Sequence, residues 1–374
     1  MPQTSLMGKE QGVPATTPIK SYGPDYAVPP GETIEEMIDE LGMDQQELSI
    51  RLGLSAKHVN QMIRGHASIT HETAIALERV LGVPAGFWLS REAIYRERLA
   101  KIKEKKRLEA DLGWLKQIPV KALVRRGVIK PTNDRAELLG RVLAFFGVSS
   151  TASWAEYWDS FKVAARRSRC FQTHRVDLAV WLRLGELQAQ QIECEPFNRS
   201  RFRRAASGIR ELTTADPEQF VPKTRELCAK AGVAFVLIPG MKGVPWHGAS
   251  WWHTPSEAII ELNLRGRGED QFWFSFFHEV GHILKGHSKK EVFVNDDSED
   301  DPREQEANEF ASRFLIPPEF MAQIPRCNRE ELLSLAREAG ISPGIVAGQY
   351  QRLTGKYNYP WVHRLIRKLA WTNE

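Results

Sequence analysis

Glycines at 42, 53, 65 and 82 cut the segment from Gly31 to Ser90 into short helices, because each is the residue most at ease in the left-handed turn that ends one. Ile34, Met37, Ile38 and Leu41 fall at i, i+3, i+4 and i+7, and Gly42 follows them as a stop. Asp44 then caps a helix over Gln45 to Leu52, Gly53 makes the turn, and Ser55 caps a third helix that runs to about Arg64. A fourth is expected from His71 to Leu81, behind Thr70 and before Gly82 and Pro84. Two helices joined across a tight glycine turn form a helix-turn-helix. In the third helix Val59, Met62 and Ile63 share the inward face, which leaves Lys57, His58 and Gln61 opposite and Arg64 just beyond. Gln61 suits an adenine edge, Lys57 and Arg64 suit guanine or phosphate, and Gln45 sits at a helix N-terminus where such side chains meet the DNA backbone. The segment carries 9 acidic against 4 basic residues, so its general attraction to DNA is weak unless the following basic stretch also lies along the duplex. A purely structural four-helix unit is the alternative reading.

The chain of 374 residues is long enough for two or three domains of the usual ~150 residues. Its net charge of +4 conceals a strong segregation. Residues 91–130 hold 13 basic and 5 acidic side chains and residues 161–210 hold 11 and 4, whereas residues 291–311 hold 9 acidic side chains and one Arg. A leader with six prolines in 30 residues reads as flexible, and a basic helix is expected through Arg107. Phe145, Phe146, Trp154, Tyr157, Trp158 and Trp181 supply the core of a helical middle region. Beyond Asp216, the runs Val233 to Ile238, Gly248 to Trp252 and Ala258 to Asn263 read as strands of a small sheet. Long helices follow over about 268–285 and 302–316, and a helical tail begins at Arg329. The expected architecture is mainly α and multidomain: a helix-turn-helix bundle, a helical middle domain, an α+β domain with a small sheet, and a helical tail. No apolar run reaches the 18 or so residues of a membrane span, no secretory leader is legible, and the four cysteines lack C-x-x-C spacing, so a cytoplasmic location is expected.

Within Phe277-His278-Glu279-Val280-Gly281-His282 lies a His-Glu-x-x-His motif. On a helix His278 and His282 stand one turn apart on one face, placed to hold a single Zn²⁺, while Glu279 projects about 100° away as a general base toward water at the open position. A third protein ligand is required. Glu304 and Asn308 share a face of the next helix, as ligand and as partner of an imidazole N–H. Asp301-Pro302-Arg303-Glu304 also has the form of a capping box, in which Glu304 would only satisfy backbone donors, and Glu306 is the reserve ligand. His287 falls about 140° round the helix from His282 and is expected to be an exposed loop residue. His247 and His253 are expected to be structural or surface histidines, with oxyanion stabilisation as the alternative.

The stretch DQQELSIRLGLSAKHVNQMIRGHASITHETAIALERVLGVPAGFWL closely resembles HigA-type antitoxins of the Xre helix-turn-helix superfamily over about 60 residues, including the terminal Phe87-Trp88-Leu89. The resemblance implies that Lys57, His58 and Gln61 read bases of a palindromic operator and that the module acts as a homodimer. FWFSFFHEVGHILKGH followed by EQEANEFASRFLIPPEF resembles the ImmA/IrrE family of zinc metallopeptidases, over roughly residues 216–318. This second resemblance implies a zincin-like α+β fold, His278, His282 and Glu304 as zinc ligands, Glu279 as catalytic acid/base, and a protein substrate of the Xre-repressor or antitoxin kind, cleaved in stress or phage response. LAREAGISPGIVAGQYQRLTG resembles segments that follow the peptidase in HigA-peptidase fusions. The expected division is a leader over 1–30, helix-turn-helix domain over 31–92, basic linker over 93–118, middle domain over 119–213, peptidase domain over 214–320 and helical tail over 321–374. An alternative function is an antitoxin-like repressor with a toxin partner, whose metal domain senses or scaffolds without turnover.

Overall fold

In a computed structural model of the chain, the first helices end where the glycines require. Helices α1 (Pro30–Glu40), α2 (Gln45–Leu52), α3 (Ala56–Ile63) and α4 (His71–Leu81) are followed by α5 (Ala85–Ala110). Asp44, Ser55 and Thr70 accept hydrogen bonds from the backbone N–H groups of Glu47, His58 and Thr73, so each of α2, α3 and α4 starts on a side-chain cap. Gly53 and Gly82 adopt φ of +69° and +75°, which ends α2 and α4. The structure describes residues 26–160, 174–241, 246–287, 292–295 and 301–371. Most of the expected flexible leader, part of the second basic stretch with Cys170, and part of the acidic block lie outside these residues.

Two compact units make up the chain, Met1–Ala110 and Asp111–Glu374. In the first, Ile34, Ile38, Leu48, Val59, Met62, Ile63, Leu77 and Leu81 close one apolar core, completed by Trp88 from α5. Trp88 is wholly buried, and its indole N–H donates to the Val83 carbonyl at 3.2 Å. Trp88→Ala is expected to cost the unit about 3–5 kcal/mol, the usual loss for a large aromatic truncated in a core. Thermal unfolding of the variant checks this, and a change below 1 kcal/mol would show that α5 is not part of the core. Helix α5 runs 26 residues without a break, so the segment expected as a separate linker from residue 93 continues the last helix of the unit as far as Ala110.

The second unit opens with helices α6 (Val120–Arg125), α7 (Arg135–Phe146), α8 (Thr151–Ser160), α9 (Arg175–Ala189), α10 (Arg199–Glu211) and α11 (Pro217–Ala229). Phe145, Phe146, Trp154, Trp158 and Trp181 are buried there, as core aromatics should be, but Tyr157 is 42% exposed. The sheet follows: β1 (Val233–Leu237), β2 (Gly248–Thr254), β3 (Glu257–Leu262) and a short edge strand β4 (Phe293–Asn295), in the order β1-β3-β2-β4. Strand β3 pairs parallel with β1, with Phe235 opposite Ile260, and antiparallel with β2, with Ile260 opposite Ser250. Alternation along β3 sends Ala258, Ile260 and Leu262 into the main core, where helix α12 (Glu269–Lys285) packs. The other face meets α9, where Gly185 leaves room for the buried Glu261 carboxylate. Helices α13 (Pro302–Leu315), α14 (Pro318–Met321), α15 (Arg329–Ala339), α16 (Pro343–Thr354) and α17 (Pro360–His363) complete the unit. The boundaries expected near residues 118, 213 and 320 all lie inside it: α9 covers the sheet, α10 packs on α11 and α12, and α16 packs on α12.

Candidate functional site

Helix α12 is the most buried helix of the second unit, because Phe272, Trp273, Phe276, Phe277, Val280 and Ile283 give it an apolar surface on nearly every side. Its polar residues are therefore costly to bury unless they meet one another. His278 and His282 do so. Their Nε2 atoms approach to 3.0 Å, and the Glu304 Oε2 from α13 lies 2.9 Å from the first and 3.4 Å from the second. Helix α13 comes this close because residue 281 is glycine: a Cβ there would stand 3.1 Å from the Phe310 ring and 3.3 Å from the Ala307 Cα. Glu304 does not act as a capping residue. Asp301 alone accepts from the Arg303 backbone N–H, and the Glu304 carboxylate turns inward to the imidazoles.

The remaining ring nitrogens are held from behind. Asn308 Oδ1 lies 2.9 Å from His278 Nδ1 and so accepts its proton. His282 Nδ1 lies 3.2 Å from His287 Nδ1, and the His282 ring stacks on Phe293 with centroids 4.2 Å apart. His287, expected as an exposed loop residue and not a ligand, does lie past the end of α12 and outside the converging atoms, but it is mostly buried against the site. Gly286, at φ +80°, ends α12 and folds the next residue back over His282. Glu306 is half-exposed, near Lys285 and His287, and does not join the converging atoms. His247 lines the cleft beside His278 and Glu304 and accepts from Arg265 at 3.0 Å, whereas His253 faces Glu186 at 3.7 Å.

Glu279 is completely buried, and neither of its carboxylate oxygens has a hydrogen-bond partner among the described residues. Burial pushes its carboxyl up to about 8, against the opposing pull of His278 and of the Ser250 hydroxyl, which faces it without completing a well-formed hydrogen bond. Burial alone would also raise Glu304, but the hydrogen bonds from His278 and His282 hold it at about 2. His282 is lowered to about 4 by burial, against Glu304. His278 is raised, since Glu304 and Glu279 together outweigh its burial. Two imidazole nitrogens and one carboxylate oxygen, each within 4.8 Å of the others, form a donor set of the N/O type that zinc takes. Ligand atoms about 2.0–2.1 Å from a tetrahedral ion stand about 3.3 Å apart, close to the separations found here. With the orphaned Glu279 beside them, these residues fit a metal ion. The cleft over them holds about 490 Å³ and is also lined by Phe274, Asn295, Gln349 and Arg352.

In the first unit Lys57, Gln61 and Arg64 are exposed on α3, and His58 is half-buried beside them. Gln45 is already engaged, donating to Glu35 at 3.1 Å and accepting from Asn60 at 3.3 Å, so it ties α1, α2 and α3 together. Sequence reasoning passed over Asn60, which stands at the spacing that meets Gln45 across the turn.

Residues 34–88 match the family model described as helix-turn-helix, and residues 234–349 match that of the IrrE N-terminal-like domain of the M78 peptidases. Virulence-associated protein I of Dichelobacter nodosus is 32% identical over 75 residues, which are 20% of this chain and 69% of that protein. The chain belongs to the helix-turn-helix family and carries an IrrE-like peptidase-family domain. An uncharacterized HTH-type transcriptional regulator of Escherichia coli K12, YddM, is 31% identical over 61 residues, 16% of this chain and 65% of the relative. An addiction module antidote protein of a HigA family from Coxiella burnetii is 29% identical, with 22% of this chain covering 92% of that one at a TM-score of 0.21. The helix-turn-helix match falls within the first compact unit and the IrrE-like match within the second. No helix among the described residues is long and apolar enough to cross a membrane.

Proposed function

We propose that this helix-turn-helix regulator is also a zinc-dependent endopeptidase that cleaves a protein substrate, of the repressor or antitoxin kind. The carrying observation is the convergence of His278 Nε2, His282 Nε2 and Glu304 Oε2 in a buried site beside the orphaned carboxyl of Glu279. Bound zinc would supply Lewis acidity, polarising a substrate carbonyl and acidifying water. Glu279, ionised once a cation offsets its burial, takes a proton from the attacking water at a carboxylate oxygen. The water oxygen adds to the carbonyl carbon, the carbon–nitrogen bond breaks, and Glu279 returns the proton to the departing nitrogen. Asn308 holds the His278 ring in position throughout, and the apolar residues of α12 exclude bulk water from its core side. Incubation of zinc-loaded protein with helix-turn-helix repressors, and with fragments of its own chain, tests the activity.

The regulatory half follows from the exposed face of α3. Lys57, His58, Gln61 and Arg64 would read an operator, with a second copy on the other half-site, in a cytoplasmic protein that responds to stress or phage. Base contacts contribute about 1–3 kcal/mol each, so Lys57→Ala with Gln61→Ala is expected to weaken operator binding by roughly 10²-fold or more while zinc content stays unchanged. Gel shifts at low salt check this, because phosphate attraction is strongest there. Equal affinity of the double variant would remove α3 from the DNA interface.

A further inference from the structure

The two histidines of the site are held by different means, and the difference identifies a residue that the reading above leaves unused. His278 gives its Nδ1 proton to an amide oxygen, Asn308 Oδ1, at 2.9 Å. His282 instead meets another imidazole, His287, with the two Nδ1 atoms 3.2 Å apart. Only one of two facing nitrogens can carry the shared proton. A His282 ring that presents a lone pair on Nε2 keeps its proton on Nδ1, so His287 Nδ1 must accept it. The His287 proton then sits on Nε2, which faces Glu306 Oε2 at 3.6 Å, and Lys285 Nζ stands 3.5 Å from the same oxygen. Phe293 packs on both rings, stacked on His282 with centroids 4.2 Å apart and tilted against His287 at 6.0 Å.

We propose that His287 is a positioning residue for the metal centre: its Nδ1 accepts the Nδ1–H of His282 and so holds the His282 Nε2 lone pair toward His278 and Glu304. Glu306, considered from the sequence as a ligand, acts one step further out by favouring the His287 tautomer that can accept. The inference rests on the metal-site reading but not on peptidase activity.

Outer partners of this kind typically change metal affinity by about 10–100-fold. Zinc affinity of the full chain, measured by competition with a chromophoric chelator, is expected to fall about 10-fold or more in His287→Ala. His287→Phe keeps a ring against Phe293 but has no acceptor, and is expected to fall as far. His287→Asn places an amide oxygen where Nδ1 stood, as Asn308 does for His278, and is expected to recover to within about 3-fold of wild type. In long-range ¹H–¹⁵N spectra of the zinc-loaded protein, His282 Nδ1 should appear protonated and His287 Nδ1 unprotonated. Wild-type affinity in His287→Phe, or a protonated His287 Nδ1, would overturn the proposal. Failure of the wild type itself to bind zinc would instead count against the metal centre.

Discussion

His282→Ala is expected to abolish zinc binding while leaving the helix-turn-helix unit folded. Of three converging ligand atoms the substitution removes one, and the remaining pair, His278 and Glu304, lies 2.9 Å apart with no third ligand atom grouped with them among the described residues. A loss on the order of 10³-fold in affinity corresponds to about 4 kcal/mol at 1.4 kcal/mol per decade. The same ligation should stabilise the wild type. Free zinc at about 1,000 times its Kd contributes about 4.1 kcal/mol, which for a unit of this size raises Tm by roughly 10 °C. His282→Ala should show no such rise. Protons oppose the ion, because burial fails to keep His278 neutral beside Glu304 and that proton must leave before Nε2 can ligate. Zinc uptake is therefore expected to weaken as pH falls and to release protons to buffer, which calorimetry in buffers of different ionisation enthalpy measures. Equal zinc-induced stabilisation in wild type and His282→Ala would place the ion elsewhere.

The second large effect belongs to Glu279 in the metal-free protein. Its carboxyl titrates at about 8 when folded, against an ordinary value of 4.5, because burial outweighs the pull of His278 and the Ser250 hydroxyl. Between these two pH values the unfolded chain has released the proton and the folded chain retains it. The unfolded state then binds fewer protons, so stability is full below 4.5 and declines as pH rises toward 8. Glu279→Gln keeps the shape and removes the titration, and should exceed the metal-free wild type by about 4 kcal/mol at pH 8, with the difference vanishing toward pH 4. Urea unfolding in the presence of a chelator, over this pH range, measures it. A difference independent of pH would mean that Glu279 is not held neutral by burial.

Much of this arrangement was legible before the fold, for local reasons. Helix ends in the first unit follow from glycines that adopt positive φ and from side chains that cap the adjacent N-termini. His278 and His282 meet because a four-residue spacing is one helical turn. Other features depended on geometry that no periodicity encodes. Whether Glu304 would cap its helix or turn inward was a choice between rotamers, and Asp301 made the inward choice possible by capping alone. The burial of His287 was missed because its direction was read from a helical wheel, whereas Gly286 ends the helix and turns the next residue back over His282. Strand β4 is three residues long beside an acidic run, too short for alternation to reveal, yet it supplies the Phe293 that packs on His282. The basic helix through Arg107 was expected, but as a separate linker; its continuity with the helix that carries Trp88 was missed because its charged half has no apolar stripe to tie it to the unit.

Zinc-loaded wild type and Glu279→Gln, each incubated with the helix-turn-helix proteins encoded beside it and with its own chain, then read by intact mass, test the central claim most directly. Fragments from one internal peptide bond are expected with the wild type, lost on chelation and restored by zinc, and reduced by about 10²–10⁴-fold with Glu279→Gln although its zinc content is unchanged. Intact substrates throughout, in the presence of stoichiometric zinc, or equal cleavage by both proteins, would contradict it.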